Sequence, residues 1–471
     1  MPLAQRIAAT LLLVPALAAA QRPAVTAGQR PYVSVDAPVV ALTHVRLLDG
    51  TGGPPRDDQA IVLRDGRIAS VGPAASVSIP AGATVLDLRG HTVTPGFVGL
   101  HEHTYFRQAT RTTQMTVSGP MAYLANGVTT IRTAGSMFPY QELNMQRAIR
   151  RGDLPGPRMH IAGPYLNGSA GPESMSRGLA TPDEARRVVA YWAEEGASWL
   201  KLQGNLTREV ARATIDEAHR HGMGVTGHLC SITFAEAAAL GIDALEHGFI
   251  TNSAYVTGKQ PDACPAENMR AQADVDGQSP AVQASIRELV ARKVALTSTL
   301  AVYETFMPDR ARLDPRAMAL LAPDTRQEVE ATHANLEKDG FVVPPRLLAK
   351  MMAWERDFVR AGGVLGAGVD PWGTGMLPGF GDLRNYELLV EAGFTPGEAI
   401  RIMSLNGATI LREAAECGSV EPGKVADLVV IRGDPAARPA EIREVVTVFR
   451  DGIGYDSARM LAAIRGLVGI R

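Results

Sequence analysis

Cysteine is scarce in this chain: three residues in 471, at positions 230, 264 and 417. An odd count without metal-ligand spacing excludes a zinc ribbon and gives no sign of a disulfide framework. An exported protein could join two of them, but Cys230, Cys264 and Cys417 are expected to be buried or unpaired thiols. Aromatic residues are few, at 5%, and no long basic run or basic-aromatic stripe occurs, which removes nucleic acid from the candidate partners. Neither charge sign dominates, and the formal net charge is −2. Beyond residue 20 no apolar run approaches the roughly 20 residues that cross a bilayer, so the mature chain is expected to have no membrane partner.

The first 20 residues differ from the rest. Arg6 precedes an almost wholly apolar run over 7–17, and Ala18-Ala19-Ala20 offers a small-residue cleavage site before Gln21. This pattern reads as a signal peptide over 1–20 and implies a periplasmic or secreted protein. The remainder, in a chain with 46% hydrophobic and 20% charged residues, is long enough for one large domain and a smaller one.

Residues 38–94 carry short β-rich runs, with Asp65-Gly66 as a hairpin signal. The stretch 408–455 repeats the style, with runs at 426–431 and 445–449 and a turn at Asp451-Gly452. Neither can close a core alone, so the two are expected to join as one composite β-sandwich domain. Between them, over 95–407, strand-like runs recur at 94–103, 128–134, 158–165, 199–203, 224–229, 244–247, 294–300 and 364–370. Most lead into helical stretches, such as 181–195 with Thr181 and Pro182 as its start, 207–221 ending at Gly222, and 234–240 ending at Gly241. Eight strands alternating with helices give an α/β fold, a (β/α)8 TIM barrel. Long connections over 251–290 and 304–345 fall on the face that carries active sites in such barrels.

The chemistry-bearing residues cluster at strand ends. His101 and His103 lie two apart on the first strand, so their imidazoles share a face and can reach one metal. Lys201 sits in the apolar run Trp199-Leu200-Lys201-Leu202. Burial there disfavours its ammonium form and leaves an amine that can take up carbon dioxide as a carbamate. His228 ends the fifth strand, His247 the sixth and Asp370 the eighth. Strand ends of a barrel surround one mouth, and imidazoles with a carboxylate suit zinc or a similar divalent metal.

These motifs resemble the amidohydrolase superfamily, in its imidazolonepropionase-like and prolidase-like branches. The resemblance rests on Leu100-His101-Glu102-His103 with its lead-in from Thr94, Gly127-Val128-Thr129-Thr130, Leu200-Lys201, Gly227-His228, Leu245-Glu246-His247-Gly248, Gly366-Ala367-Gly368-Val369-Asp370 and the tail 418–429. It implies two divalent metal ions, with His101, His103 and Asp370 on one and His228 and His247 on the other. A carbamate on Lys201 and a hydroxide would bridge them. Gly99 departs from the pattern, because relatives usually carry an acidic residue there. The stretch 163–169 also lacks the Gly-Gly-His of many relatives.

The implied activity is hydrolysis of an amide-like C–N bond in a dipeptide or N-acyl amino acid, by attack of the bridging hydroxide. Asp370, as proton shuttle, and His247 carry the catalysis. A cyclic amide or lactone hydrolase is the alternative enzyme, and a catalytically dead periplasmic binding protein the alternative outside enzymes. Tyr165, Tyr303, Arg132 and Arg177 are candidate substrate contacts, the arginines for a carboxylate. His219 and His221 are expected at a helix end away from metal, His160 as a packed core residue, and Asp427 in a structural role. The oligomeric state, including a homo-oligomer, is left open.

Overall fold

The computed structural model describes residues 22–108, 111–168, 176–307, 309–310, 313–339 and 342–470. Residues 1–20, expected from the sequence to be a signal peptide, lie outside the described residues. Eight parallel strands form the barrel: β1 (Phe97–Glu102), β2 (Val128–Thr133), β3 (Arg158–His160), β4 (Trp199–Leu202), β5 (Gly224–Gly227), β6 (Ala244–Glu246), β7 (Ala295–Ser298) and β8 (Leu365–Ala367). β8 pairs with β1 through Ala367 and Gly99. Between β3 and β4 the ring closes by hydrogen bonds from Ser198 N and Trp199 N to Ile161 O, at 2.9 and 3.2 Å.

Local chemistry sets the helices between strands. Thr181 caps the helix Pro182–Glu195 by accepting from Glu184 N, and Thr207 caps Arg208–Arg220 by accepting from Val210 N. Thr233 and Glu236 form a reciprocal capping box on Phe234–Leu240, which ends at Gly241 in the left-handed conformation. These caps satisfy amide N–H groups that a helix start leaves unpaired. The long connections are not bare loops: Pro280–Ala291 and Pro323–Ala334 are helices within them.

The two chain ends build one nine-stranded, mostly antiparallel sheet. His91–Pro95 is its seam: it pairs in parallel with Val39–Leu47 on one side and antiparallel with Leu428–Arg432 on the other. The strand Val33–Val35 joins at the edge against Ile453–Asp456. Val40, Leu42, Ile61, Leu63 and Val93 pack with Leu428, Val430 and Phe449 in one buried cluster, so each end supplies core that the other lacks. Arg158 of β3 ties barrel to sheet through Asp427 at 3.2 Å and Asp451 at 3.1 Å, which gives Asp427 its structural role. Among the described residues no helix is long and apolar enough to cross a membrane.

Two expectations change. Cys230 and Cys264 form a disulfide, leaving Cys417 as the free, buried thiol; the bridge joins the segment after β5 to the long connection after β6. His160 is only partly buried and pairs with Glu413 at 3.2 Å rather than packing in the core.

Candidate metal centre

His101, His103, Lys201, His228, His247 and Asp370 converge at the strand C-terminal ends of the barrel. Ligand atoms of His101, His103 and Asp370 lie within 4.8 Å of one another. The His247 ring lies 4.5 Å from that of His101 and 4.6 Å from that of His228, centroid to centroid. His247 Nε2 is 3.9 Å from Asp370 Oδ2. Close approach of β8 to β1 depends on Gly368, where a Cβ would stand 2.7 Å from the His101 Cβ.

Strand alternation places Glu246 and His247 on opposite faces, yet both reach His101. The backbone resolves this, because His247 takes a positive φ of 67° and Asp370 one of 50°. Non-glycine residues held there are strained, and both stand where a side chain is turned into the mouth.

Neighbours fix the rings. His101 Nδ1 bonds Glu246 Oε2 at 2.7 Å, which turns Nε2 toward Asp370 Oδ1 at 3.6 Å. His247 Nδ1 bonds Thr299 Oγ1 at 2.7 Å, and its Nε2 is buried without a hydrogen-bond partner. Such supporting bonds select the tautomer that a metal needs. Burial lowers His101 and His247 well below the usual histidine range and His228 to about 4, with the Lys201 charge adding to the effect for His101 and His228. Neutral imidazoles are the ligating form.

Lys201 is 1% exposed, and among the described residues its ammonium makes no hydrogen bond or ion pair. Burial is the main force lowering its pKa, to about 8. Asp370 is held well below the usual carboxylate range: burial opposes ionisation, but His101, His103 and Lys201 outweigh it.

The cluster floors a cavity of about 420 Å³. Tyr105, Tyr165, Gln203 and Tyr303 line it alongside apolar Met137, Met269, Val302, Phe306 and Trp372, with Arg107 as a further cation. The Tyr165 hydroxyl bonds that of Tyr105 at 2.6 Å and lies 3.3 Å from His103 Nε2; Tyr303 packs edge-on to His247 at 5.5 Å.

The two arginines proposed as carboxylate contacts are elsewhere. Arg132 is fully buried, paired with Glu246 and stacked over Trp199 at 4.7 Å. Arg177 is exposed and pairs with Glu184 at 2.7 Å. His219 and His221 pair with Asp243 and Glu217, away from the cluster. Tyr105 and Trp372 also line the cavity and were not among the residues expected from the sequence.

A family profile described as "Amidohydrolase family" matches residues 92–297 and 368–453, more than half of the chain. The chain belongs to the amidohydrolase family. The adenine deaminase of Rubrobacter xylanophilus is 24% identical over 445 residues, which cover 91% of this chain and 58% of that relative. A solved Xaa-Pro dipeptidase with bound methionine in its active site is 20% identical, with a TM-score of 0.66, covering 89% of this chain and 100% of that one. A bottromycin amidohydrolase is 20% identical, with a TM-score of 0.69, covering 94% and 95%. At 20% identity these two likenesses speak for the shared fold of the family.

Proposed function

We propose that this family member is a metal-dependent hydrolase of an amide-like C–N bond, acting on a dipeptide or N-acyl amino acid. The observation that carries the reading is the buried Lys201, which makes no direct ion-pair contact among the described residues, surrounded by four histidines and Asp370. A buried ammonium there is costly: desolvation outweighs the pull of Glu246 and Asp370 on its charge. A carbamate exchanges the positive charge for a negative one and offers two oxygens.

The donor set fits two divalent cations, and zinc suits its imidazole and carboxylate composition. His101, His103 and Asp370 would hold one, His228 and His247 the other, with carbamylated Lys201 between them. The orphaned, buried His247 Nε2 fits such a role. When bound, the pair would activate a water and polarise a carbonyl.

The residues of the chain supply the rest. Asp370, ionised and at the cavity floor, accepts the proton of the attacking water and passes it to the leaving nitrogen. Tyr165, ordered by Tyr105, presents a hydroxyl beside His103 for the carbonyl oxygen. His247, locked by Thr299, flanks the same carbonyl. The enclosing apolar residues exclude water and accept hydrocarbon.

The leading 20 residues, together with the Cys230–Cys264 bridge, support a periplasmic or secreted location. A hydrolysis screen of N-acyl amino acids and dipeptides with zinc-loaded protein tests the function. Turnover that requires both metal and Lys201 is expected. Turnover confined to lactones or cyclic amides, or binding without turnover, would overturn it.

A further inference from the structure

Gln203 follows β4 directly, two residues after Lys201, and both side chains line the cavity. Among the described residues nothing donates to its Oε1, which is nevertheless buried. A buried acceptor left unmatched is costly, because it has given up water and gained nothing. At a cavity wall such a group calls for an N–H on whatever fills the space.

The backbone that carries it is clamped. Gln203 N donates to Leu166 O at 2.8 Å. The carbonyls on either side, Leu202 O and Gly204 O, accept from His228 N at 3.0 Å and from Ser231 N at 2.7 Å. The Cys230–Cys264 bridge ties down that facing segment in turn. The acceptor therefore projects from main chain held on both sides, as a recognition group must be.

Strand order decides which half of a substrate meets it. β4 and β8 stand four places apart in a ring of eight, on opposite walls of the mouth. Asp370 lies just beyond β8, and in the hydrolase reading it passes a proton to the leaving nitrogen. The leaving amine then lies toward β8 and the acyl half toward β4. Gln203 stands one layer above Lys201, about 6–7 Å further along the strand direction. An α-amine, two bonds from the scissile carbonyl carbon, carries N–H groups toward that level, whereas a plain hydrocarbon acyl chain has none. Met137, Met269 and Val302 leave apolar wall for a side chain.

We propose that Gln203 is a specificity-determining residue that accepts a hydrogen bond from the free α-amine of the substrate, and that the substrate is a dipeptide with an apolar N-terminal residue rather than an N-acyl amino acid. The proposal rests on the hydrolase reading and narrows its substrate class. A site built to pair an N–H rejects the analogue that lacks it, because the acceptor then stays buried and unmatched.

The experiment compares zinc-loaded wild type, Gln203→Met and Gln203→Glu on leucyl-phenylalanine and on 4-methylpentanoyl-phenylalanine, the same molecule without its α-amine. Wild type should prefer the dipeptide by about tenfold to a hundredfold in kcat/KM. Gln203→Met keeps the length of the side chain and loses the strong acceptor. It should bring that ratio to within about threefold of one, with the loss falling on the dipeptide. Gln203→Glu keeps an acceptor oxygen and should keep part of the preference. A wild type indifferent to the α-amine, equal losses on both compounds, or loss of zinc from Gln203→Met by elemental analysis would overturn the assignment.

Where neither compound is cleaved, titration calorimetry with the same pair decides it. Binding of the dipeptide to wild type at least about tenfold tighter than its analogue, with the difference gone in Gln203→Met, supports the assignment. Equal binding of the two to wild type, or none, overturns it. Absence of turnover across the whole substrate screen is the separate result that sinks the hydrolase reading.

Discussion

The carboxyl group of Glu102 occupies the space that a side chain at Gly99 would need. A Cβ on Gly99 would overlap Glu102 Oε1 and stand 2.8 Å from Glu102 Cδ. Glu102 Oε1 in turn accepts a hydrogen bond from Val369 N at 3.2 Å, one residue before Asp370. The glycine that departs from the usual acidic residue thus makes room for a carboxyl three residues later, which links β1 to the end of β8. Gly99→Asp alone should crowd Glu102 and destabilise the fold by about 1–3 kcal/mol. Glu102→Ala alone should weaken metal retention, and Gly99→Asp with Glu102→Ala should recover part of both losses. Urea denaturation and elemental analysis of the three proteins check the coupling; additive losses would refute it.

Lys201→Ala should lose metal and lower turnover by at least about a hundredfold. A short carboxylic acid added to that variant should restore part of the activity by standing in for the carbamate. Lys201→Arg should not rescue, because its guanidinium stays charged and forms no carbamate. Full metal content with near-normal turnover in Lys201→Arg would rule out the bridging role.

Arg132 and Glu246 form a fully buried ion pair that also positions His101. Arg132→Met should cost about 3–5 kcal/mol, since it strands a buried carboxylate. Arg132→Met combined with Glu246→Gln should recover much of that stability but not the activity, because the weaker acceptor no longer fixes His101. Denaturation midpoints and kcat, measured side by side, separate the two effects.

Glu355, behind β7, accepts a hydrogen bond from Ser298 Oγ at 2.9 Å, and burial pushes its carboxyl up to about 8. The folded protein therefore keeps a proton that the unfolded chain releases near pH 4.5. The contribution of Glu355 to stability falls as pH rises from about 4.5 toward 8, since the unfolded state ionises first. Glu355→Gln should remove this dependence and gain stability over wild type, on the order of a few kcal/mol at the top of the window. Thermal unfolding of both proteins at pH 5, 6, 7 and 8 reads it; a constant difference across that series would contradict the assignment.

Much of the site was legible because its grammar is local. His101 and His103 sit at strand spacing, and His228, His247 and Asp370 each close a β-rich run before a turn. Helix starts were legible for the same reason: Thr181, Thr207 and Thr233 act on amides three residues away. What escaped depends on partners distant in sequence. Arg132 looked available at a strand end, but Glu246, 114 residues later, claims it. The disulfide spans 34 residues across two connections. The left-handed backbone at His247, which brings Glu246 and His247 to the same neighbour, leaves no mark in the alternation of residue types.

The seam strand His91–Pro95 has a consequence for the birth of the protein. Thr92 bonds Gly433, a partner made 341 residues later. At ribosomal speed that interval is on the order of tens of seconds. Throughout it, the strand leading directly into His101 lacks one neighbour, and an unpaired strand edge invites wrong partners. The barrel can gather its local βα units as they emerge, but the seam strand that feeds its first strand is paired last. The segment 428–456 therefore acts as a clasp: only after it arrives does the entry to the strand that carries His101 gain its full complement of backbone partners.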